Sequence, residues 1–308
     1  MTARMFGKTA LVVATLFSSA VVLSAQQGQA GAGAPPAGGG QQANVTLQWN
    51  DKIPAGNMEH ATKALAESPR HGEWVDIALP GGGKLAAWVV YPERKDKAGV
   101  VLVIHDINGM RDIPRAVGDQ LAQDGFIAIV PDFLSGKGPE GGGTASLGAN
   151  VGTTIRTLTE PEMTARLNAA MDYGKKLPAS NGKSAVMGFC WGGTQTWSYA
   201  MAQPGLSAAI PYYGQAPSST ADTIDEALVA KIAAPVMAMY GGSDARINTT
   251  IPPTEAAMKK LNKSYEKNIF DGAGHGFMGN QAGSGGANLK AAEQAWPMTI
   301  AFLQKNLK

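Results

Sequence analysis

The chain has 308 residues, which suits one α/β domain preceded by a leader, and it carries 26 Lys and Arg against 24 Asp and Glu. A nearly balanced charge with only short basic runs gives no indication of a nucleic-acid partner. The single cysteine excludes an internal disulfide, so the stability of the fold has to come from its hydrophobic core.

Residues 1–25 are typical of a secretory signal peptide. Arg4 and Lys8 form a short positive start, and residues 9–23 are apolar or small throughout. A membrane anchor is the alternative, but an anchor needs about 20 apolar residues, and this run is shorter and interrupted by hydroxyl side chains. We therefore expect cleavage and export to the periplasm or the extracellular space, with no membrane span left after the cut.

Residues 26–44 consist almost entirely of Gly, Ala, Gln and Pro. This composition cannot bury enough apolar surface to order the chain, so it predicts a disordered linker. The folded domain is then predicted to cover residues 45–308. At its start, residues 58–65 could form a peripheral helix.

The first clear elements of this domain are a β-hairpin and a buried strand. Two strand-like segments, 74–79 and 85–91, flank the turn sequence Pro80-Gly81-Gly82-Gly83-Lys84. Residues 99–104 then form a continuous apolar run, which is typical of a strand covered on both faces.

Strands and helices alternate from there to the end of the chain. The further predicted strands are 126–130, 184–187, 208–214, 236–241 and 265–270, and the predicted helices are 113–124, 160–177, 194–202, 251–262 and 287–307. This alternation predicts an α/β fold with a mostly parallel central sheet, helices on both faces and an N-terminal antiparallel hairpin. A Gly-rich excursion at 134–158 interrupts the pattern, and we expect it to cover a pocket and set specificity.

The segment Gly188-Phe189-Cys190-Trp191-Gly192-Gly193 stands between a predicted strand and a predicted helix. Strand, Gly-x-Cys-x-Gly-Gly and helix together form a nucleophile elbow with a thiol in place of the usual hydroxyl. The reactive side chain of an elbow sits on a sharp turn, so the flanking positions must approach neighbouring backbone without a Cβ. The positive end of the following helix favours a thiolate. The alternative is that Cys190 is a buried small hydrophobe.

Two further polar residues follow predicted strands. Asp244 comes after the strand at 236–241, and His275 comes after the strand at 265–270. Because the carboxyl ends of parallel strands meet at one edge of a sheet, both should lie near Cys190, in the chain order nucleophile, acid, histidine. His275 would take the thiol proton, and Asp244 would orient the imidazole. A turn or helix-capping aspartate and a surface histidine are the alternatives.

The loop His105-Asp106-Ile107-Asn108-Gly109 directly follows the first buried strand. In such folds this loop supplies one oxyanion N–H, and the residue after the nucleophile supplies the other. We therefore predict an oxyanion hole formed by the backbone N–H groups of Ile107 and Trp191. Asp106 could act as a gating carboxylate that accepts the thiol proton in a resting state, or it could cap the next helix. His105 is expected to pack below the site in a structural role.

Metal and phosphate binding find little support in the sequence. No His, Cys, Asp or Glu residues have the spacing of metal ligands. The stretches Gly141-Gly142-Gly143 and Gly283-Ser284-Gly285-Gly286 do not join a strand to a helix, as a phosphate-binding loop would. We therefore expect neither a metal nor another cofactor.

Six segments, in the same order over roughly residues 73–308, resemble the dienelactone hydrolase family. They are His105-Asp106-Ile107-Asn108-Gly109, Val130-Pro131-Asp132, Gly188-Phe189-Cys190-Trp191-Gly192-Gly193, Tyr212-Tyr213-Gly214, Gly241-Gly242-Ser243-Asp244 and Gly272-Ala273-Gly274-His275-Gly276-Phe277. The resemblance implies an α/β-hydrolase fold and a Cys-His-Asp triad. It also implies cofactor-free action on ester or lactone carbonyls, of the carboxymethylenebutenolidase type.

The chain departs from the well-known dienelactone hydrolases at two points. Those enzymes carry a Glu that holds the thiol neutral until substrate arrives, where this chain has the shorter Asp106. They also hold the substrate carboxylate with arginines, one of them shortly after the catalytic histidine, where this chain has Phe277-Met278-Gly279-Asn280. Arg246 and Arg156 are the nearest candidates by sequence, so the substrate need not be a dienelactone.

These features together predict an exported, cofactor-free hydrolase of small-molecule esters or lactones. Attack by the Cys190 thiolate would give an acyl thioester, which water would then hydrolyse. A non-catalytic binding protein and a thiol redox sensor on the same scaffold are the alternatives.

Overall fold

The computed structural model describes residues 43–48 and 50–308. The predicted signal peptide lies outside them, as does the predicted linker except for its last two residues. Within the described part of the chain, no helix is both long enough and apolar enough to cross a membrane. In the same part, no three His, Cys, Asp or Glu side chains are grouped as a metal ion would require.

An eight-stranded sheet forms the centre of the described residues, in the order β1-β2-β4-β3-β5-β6-β7-β8. The strands are β1 Gly72–Ala78, β2 Lys84–Val90, β3 Ala98–Ile104, β4 Ile127–Pro131, β5 Ser180–Phe189, β6 Ala208–Tyr212, β7 Val236–Gly241 and β8 Tyr265–Phe270. Strand β2 pairs antiparallel with β1 and with β4, and every other pairing is parallel. The predicted fold class and the N-terminal hairpin are confirmed.

Helices cover both faces of this sheet. They are α1 Met58–Glu67, α2 Asp112–Gln123, α3 Thr144–Leu147, α4 Val151–Thr154, α5 Glu160–Lys176, α6 Trp191–Ala202, α7 Glu226–Ala230, α8 Ala245–Asn248, α9 Ile251–Lys260 and α10 Ala287–Leu307. The sequence did not predict α3, α4, α7 or α8, because a helix of one turn shows no hydrophobic period. Local chemistry explains where α5 begins: the hydroxyl of Thr159 accepts from the Glu162 N–H, and Pro161 stands in the first turn.

The core lies in two layers, one on each face of the sheet. Alternate residues of β3 enter the two layers, Leu102 on the face covered by α5 and α6, and Val103 on the face covered by α2 and α10. All seven residues of β3 are buried. The sequence of β3 is therefore apolar throughout and does not alternate between apolar and polar residues, as predicted for a strand covered on both faces.

The carboxyl ends of the parallel strands meet at one edge of the sheet. His105 follows β3, Cys190 follows β5, Tyr213 follows β6, and the loops after β7 and β8 carry Asp244 and His275. Side chains that are far apart in the chain therefore come together at this edge.

Candidate active site

Cys190 lies on a sharp turn between β5 and α6. Its φ is 58° and its ψ is −115°, a conformation that residues with a Cβ rarely adopt. Glycines make the turn possible: a Cβ on Gly188 would lie 2.3 Å from the carbonyl oxygen of Gly192, and a Cβ on Gly192 would lie 2.4 Å from the carbonyl oxygens of Ile104 and His105. The predicted requirement for glycine on both sides of the cysteine is confirmed.

The elbow is also anchored to β6. The Cys190 N–H donates to the carbonyl oxygen of Tyr212 at 3.1 Å. A Cβ on Gly193 would lie 2.4 Å from that same oxygen. The turn that presents the sulfur is therefore fixed by backbone contacts on two sides, from β3 and from β6.

His275 and Asp244 form a close pair beside the elbow. The Nδ1 of His275 lies 2.5 Å from Oδ2 of Asp244, and the Asp244 side chain is only 6% exposed. Because Nδ1 bonds to the carboxylate, Nε2 is the nitrogen left to face Cys190. The hydrogen bond to Asp244, followed by the interaction with Cys190, raises the pKa of His275 to about 9, although burial acts in the opposite direction.

Neither side chain of this pair takes the alternative position that the sequence left open. Asp244 immediately precedes α8, but its side chain makes no capping hydrogen bond there. The ring of His275 packs edge-on against Tyr213, with 5.1 Å between the ring centres, and does not lie free on the surface. The sulfur, the imidazole and the carboxylate are thus brought together at the carboxyl edge of the sheet.

Cys190 and His275 line a cleft of about 510 Å³. Most of its wall is apolar, from the residues Met58, Ile113, Pro114, Val117, Phe189, Tyr213 and Met278. The helix predicted near residues 58–65 is present as α1, and its predicted peripheral position is confirmed, since Ala61 is its one buried residue; its first residue, Met58, lines the cleft. Asn57 fixes this end of α1 by accepting from the His60 N–H at 2.8 Å.

The loop after β3 packs directly against the elbow through Gly192. Within this loop, the N–H groups of Asn108 and Gly109 both donate to Asp106, to its carboxylate at 2.8 Å and to its carbonyl at 3.1 Å. The turn therefore closes without the N–H of Ile107, and Ile107 is one of the residues that line the cleft. Trp191 is the first residue of α6, so its N–H has no acceptor within the helix.

His105 connects the two backbone positions predicted to form an oxyanion hole. Its Nε2 accepts from the Phe133 N–H at 3.3 Å, so Nδ1 carries the proton and donates to the Asp106 carbonyl at 2.8 Å. Its ring stacks on Trp191 at 5.9 Å. Complete burial lowers the pKa of His105, which keeps the ring neutral. The predicted structural role of His105 is confirmed by its burial, and the sequence did not predict its two hydrogen bonds.

Comparison with known proteins identifies the family of the chain. The model of the dienelactone hydrolase family matches residues 85–307, most of the chain. The chain belongs to the dienelactone hydrolase family. Its curated relatives include a protein from Salmonella typhimurium described as a carboxymethylenebutenolidase, 28% identical over 232 residues, which cover 72% of this chain and 83% of that one.

A second relative, from Bradyrhizobium, is described as a probable 2-oxo-3-(5-oxofuran-2-ylidene)propanoate lactonase. It is 27% identical over 243 residues, covering 76% of this chain and 94% of the relative. Among solved structures, one from Klebsiella pneumoniae described as a dienelactone hydrolase superposes with a TM-score of 0.67, at 23% identity, over 76% of this chain and 98% of that one. The dienelactone hydrolase-like promiscuous phosphotriesterase P91 has a TM-score of 0.64 at 20% identity, over 78% of this chain and 99% of that one. These structures share the fold.

Asp106 lies in the cleft of Cys190 as expected, and its gating role stays a prediction. Its carboxylate accepts from the backbone N–H of Asn108 at 2.8 Å, from the Asn108 side chain at 3.1 Å and from Arg111 at 3.2 Å. The alternative role as the cap of α2 is wrong, because Arg111 is the N-cap residue of that helix and no side chain caps it. Asp106 shares the cleft with Cys190, but its hydrogen bonds hold its own loop and Arg111.

Arg111 is the one arginine among the described residues that line the cleft of Cys190. The sequence candidates, Arg156 and Arg246, are both wrong. Arg156 donates to the carbonyl of Gly152 within its own segment, and Arg246 lies on the exposed side of α8. One feature of the sequence could have indicated Arg111: it lies in the loop that carries Asp106, directly before α2.

The Gly-rich excursion at 134–158 does not line the cleft of Cys190. It lines a separate depression of about 600 Å³ on the other side of Asn108 and Arg111. Hydrogen bonds hold it there: Thr144 donates to Asp132 through both its N–H and its hydroxyl, and the hydroxyl accepts from the Met110 N–H. The prediction that this segment covers the pocket is wrong, because Asp132 fixes it beside the loop.

Proposed function

We propose that this member of the dienelactone hydrolase family, a hydrolase of ester and lactone bonds, attacks its small-molecule substrates with the thiolate of Cys190. The observation that carries the proposal is the arrangement at the edge of the sheet. A thiol on a strained elbow faces an imidazole, and a buried carboxylate holds that imidazole at 2.5 Å. No metal or organic cofactor enters the proposed reaction.

In the first step, the sulfur of Cys190 attacks the carbonyl carbon of the substrate. The thiol proton resides on Nε2 of His275, whose raised pKa of about 9 favours the imidazolium at neutral pH. Asp244 stabilises that charge and fixes the ring orientation. A new C–S bond forms, and the electron pair of the carbonyl double bond moves to its oxygen.

The oxygen that gains this charge needs donors that are already in position. The N–H groups of Trp191 and Ile107 are free for this role, and the positive end of α6 lies behind the first of them. Removing one such donor in an enzyme costs roughly a hundredfold to a thousandfold in rate. The proposed oxyanion hole is therefore as important to the reaction as the base.

The tetrahedral intermediate then collapses, and the C–O bond of the ester breaks. His275 gives its proton to the leaving alkoxide, and the acyl group stays on Cys190 as a thioester. Neutral His275 next takes a proton from water, whose oxygen attacks the thioester. The second intermediate expels the thiolate and releases a carboxylic acid, or a hydroxy acid when the substrate is a lactone.

The alternatives explain less of the geometry. A non-catalytic binding protein has no need of a buried carboxylate behind the imidazole or of a strained turn under the sulfur. A redox sensor usually pairs its reactive thiol with a resolving cysteine, and the chain contains one cysteine in all. Neither alternative uses the His275–Asp244 pair.

A panel of esters and lactones tests the proposal, with Cys190→Ala and His275→Ala as comparison variants. We expect turnover of at least one activated phenyl ester and its loss in both variants, while melting curves show that they remain folded. Turnover that survives in Cys190→Ala would contradict the proposal. Reversible oxidation by peroxide without any esterase activity would favour the redox sensor.

We also propose that the chain is exported to the periplasm or beyond, as its residues 1–25 indicate. Cell fractionation and N-terminal sequencing of the purified protein test this. A mature chain that starts near residue 26 or 31 is expected, and an uncut chain in the cytoplasm would contradict it.

A further inference from the structure

The charged groups of the cleft are few and already matched. Among the described residues that line it, the charged side chains are Asp106, Arg111 and His275. Arg111 donates to Asp106 at 3.2 Å, and their side chains are 34% and 31% exposed. A carboxylate that approaches Arg111 therefore also meets the negative charge of Asp106, which cancels most of the attraction at this range.

His275 supplies no spare positive charge either. Its Nδ1–H donates to the carboxylate of Asp244, at 2.5 Å, and its Nε2–H faces the sulfur of Cys190, which the reaction needs as a thiolate. An imidazolium between two anionic partners leaves no net positive charge for a third anion. Among the described residues, the cleft thus has no cation free to hold a substrate carboxylate.

The rest of the described wall is mostly apolar, and its polar side chains, Asn57, Asn108 and Asn280, carry no charge. Met58, Ile113, Pro114, Val117 and Met278 present apolar surface to the cleft. A carboxylate that enters loses hydration and regains it only if an unpaired cation or several donors replace the water. The same surface favours an uncharged, apolar substrate body.

We infer that the substrate is an uncharged ester or lactone with an apolar body, and that Asp106 excludes carboxylate-bearing substrates by neutralising Arg111. The curated relatives described above carry names that denote carboxylate-bearing lactones, so the inference separates this chain from them in specificity. It rests on the proposed hydrolysis through Cys190.

The test compares two matched substrates, the p-nitrophenyl ester of a straight-chain fatty acid and the p-nitrophenyl half-ester of a dicarboxylic acid of similar length. We expect the wild-type protein to favour the neutral ester in kcat/KM by about tenfold or more. Asp106→Asn keeps the size of the side chain and frees Arg111, so it should lower this ratio by about tenfold. The double variant Asp106→Asn/Arg111→Met should return to the wild-type preference for the neutral ester, because it lacks the freed arginine.

Asp112→Asn is the matched control, because Asp112 holds Arg115 at 3.1 Å in a second Asp–Arg pair that does not line the cleft. Its ratio should equal that of the wild type. A wild-type preference for the half-ester would overturn the inference while leaving the hydrolysis intact, and this comparison needs no variant to fold. An unchanged ratio in a folded Asp106→Asn would overturn it as well. Failure to cleave either ester would instead count against the proposed function.

Discussion

Replacing Asp244 by asparagine tests how far the imidazole depends on its buried partner. In the structure, Oδ2 of Asp244 accepts from Nδ1 of His275 at 2.5 Å. This hydrogen bond is the largest of the causes that raise the pKa of His275 from 6.5 to about 9. Asparagine has nearly the same shape but no charge, so it cannot stabilise the imidazolium, and the pKa of His275 should fall.

The magnitude follows from the same shift. One pKa unit corresponds to about 1.4 kcal/mol, so the whole rise, from 6.5 to about 9, is worth no more than about 3.5 kcal/mol in favour of the protonated ring. Asp244 supplies the largest part of it, and Cys190 supplies the next. We therefore expect Asp244→Asn to slow acylation at neutral pH by a factor between about ten and a hundred.

The pH dependence gives the sharper result. The proton that His275 donates to the leaving group is lost as the pH rises through about 9, so the acylation rate of the wild type should decline there. In Asp244→Asn this alkaline decline should move to lower pH. Stopped-flow measurement of the p-nitrophenol burst from an activated ester, over a series of pH values, follows both effects.

Asp271→Asn is the control, since Asp271 is an exposed carboxylate in the loop that carries His275. It should leave the pH profile of the burst unchanged. The reasoning fails if Asp244→Asn folds normally and its alkaline decline stays at the wild-type pH.

Three further results are expected. The pKa of His275 is raised from 6.5 to about 9 in the folded state, so its positive charge stabilises the fold fully below pH 6.5, and this stabilisation is lost as the pH rises through 9. The Tm of the wild type should therefore fall between these pH values, and the Tm of His275→Gln should fall less. Gly192→Ala places a Cβ 2.4 Å from backbone carbonyl oxygens, so denaturant melts should show a severe loss of stability, whereas Gly81→Ala meets nothing within 4 Å and should change stability by less than about 0.5 kcal/mol. His105→Phe keeps the ring and removes both of its hydrogen bonds, so kcat should fall about tenfold with little change in KM; an equal effect on KM would contradict a role in positioning the oxyanion loop.

Much of the fold could be predicted because its elements are encoded locally. The apolar run of β3 predicts a strand buried on both faces, and the alternation of strands and helices predicts a parallel sheet. Once the sheet is parallel, residues that follow its strands must meet at one edge. Cys190, Asp244 and His275 could therefore be placed near one another without any knowledge of their contacts.

The parts that could not be predicted depend on packing between distant segments. The sequence predicts α1 as a helix, but only its packing against α2 brings Met58 to the cleft. The sequence does not show which arginine enters the cleft; the loop after β3 places Arg111 there, where it donates to Asp106. The excursion at 134–158 has no hydrophobic period, so its position depends on distant partners: Asp132 accepts hydrogen bonds from Thr144, and a buried cluster that includes Leu147 packs against Ile107 and Trp191.

A mass spectrum of the protein taken during the burst tests the central claim most directly. With an activated ester at a pH where hydrolysis of the thioester is slow, the peptide that contains Cys190 should gain the mass of the acyl group, and hydroxylamine should remove it. Substrate turnover without an adduct on that peptide, or with an adduct on a different residue, would contradict nucleophilic attack by Cys190.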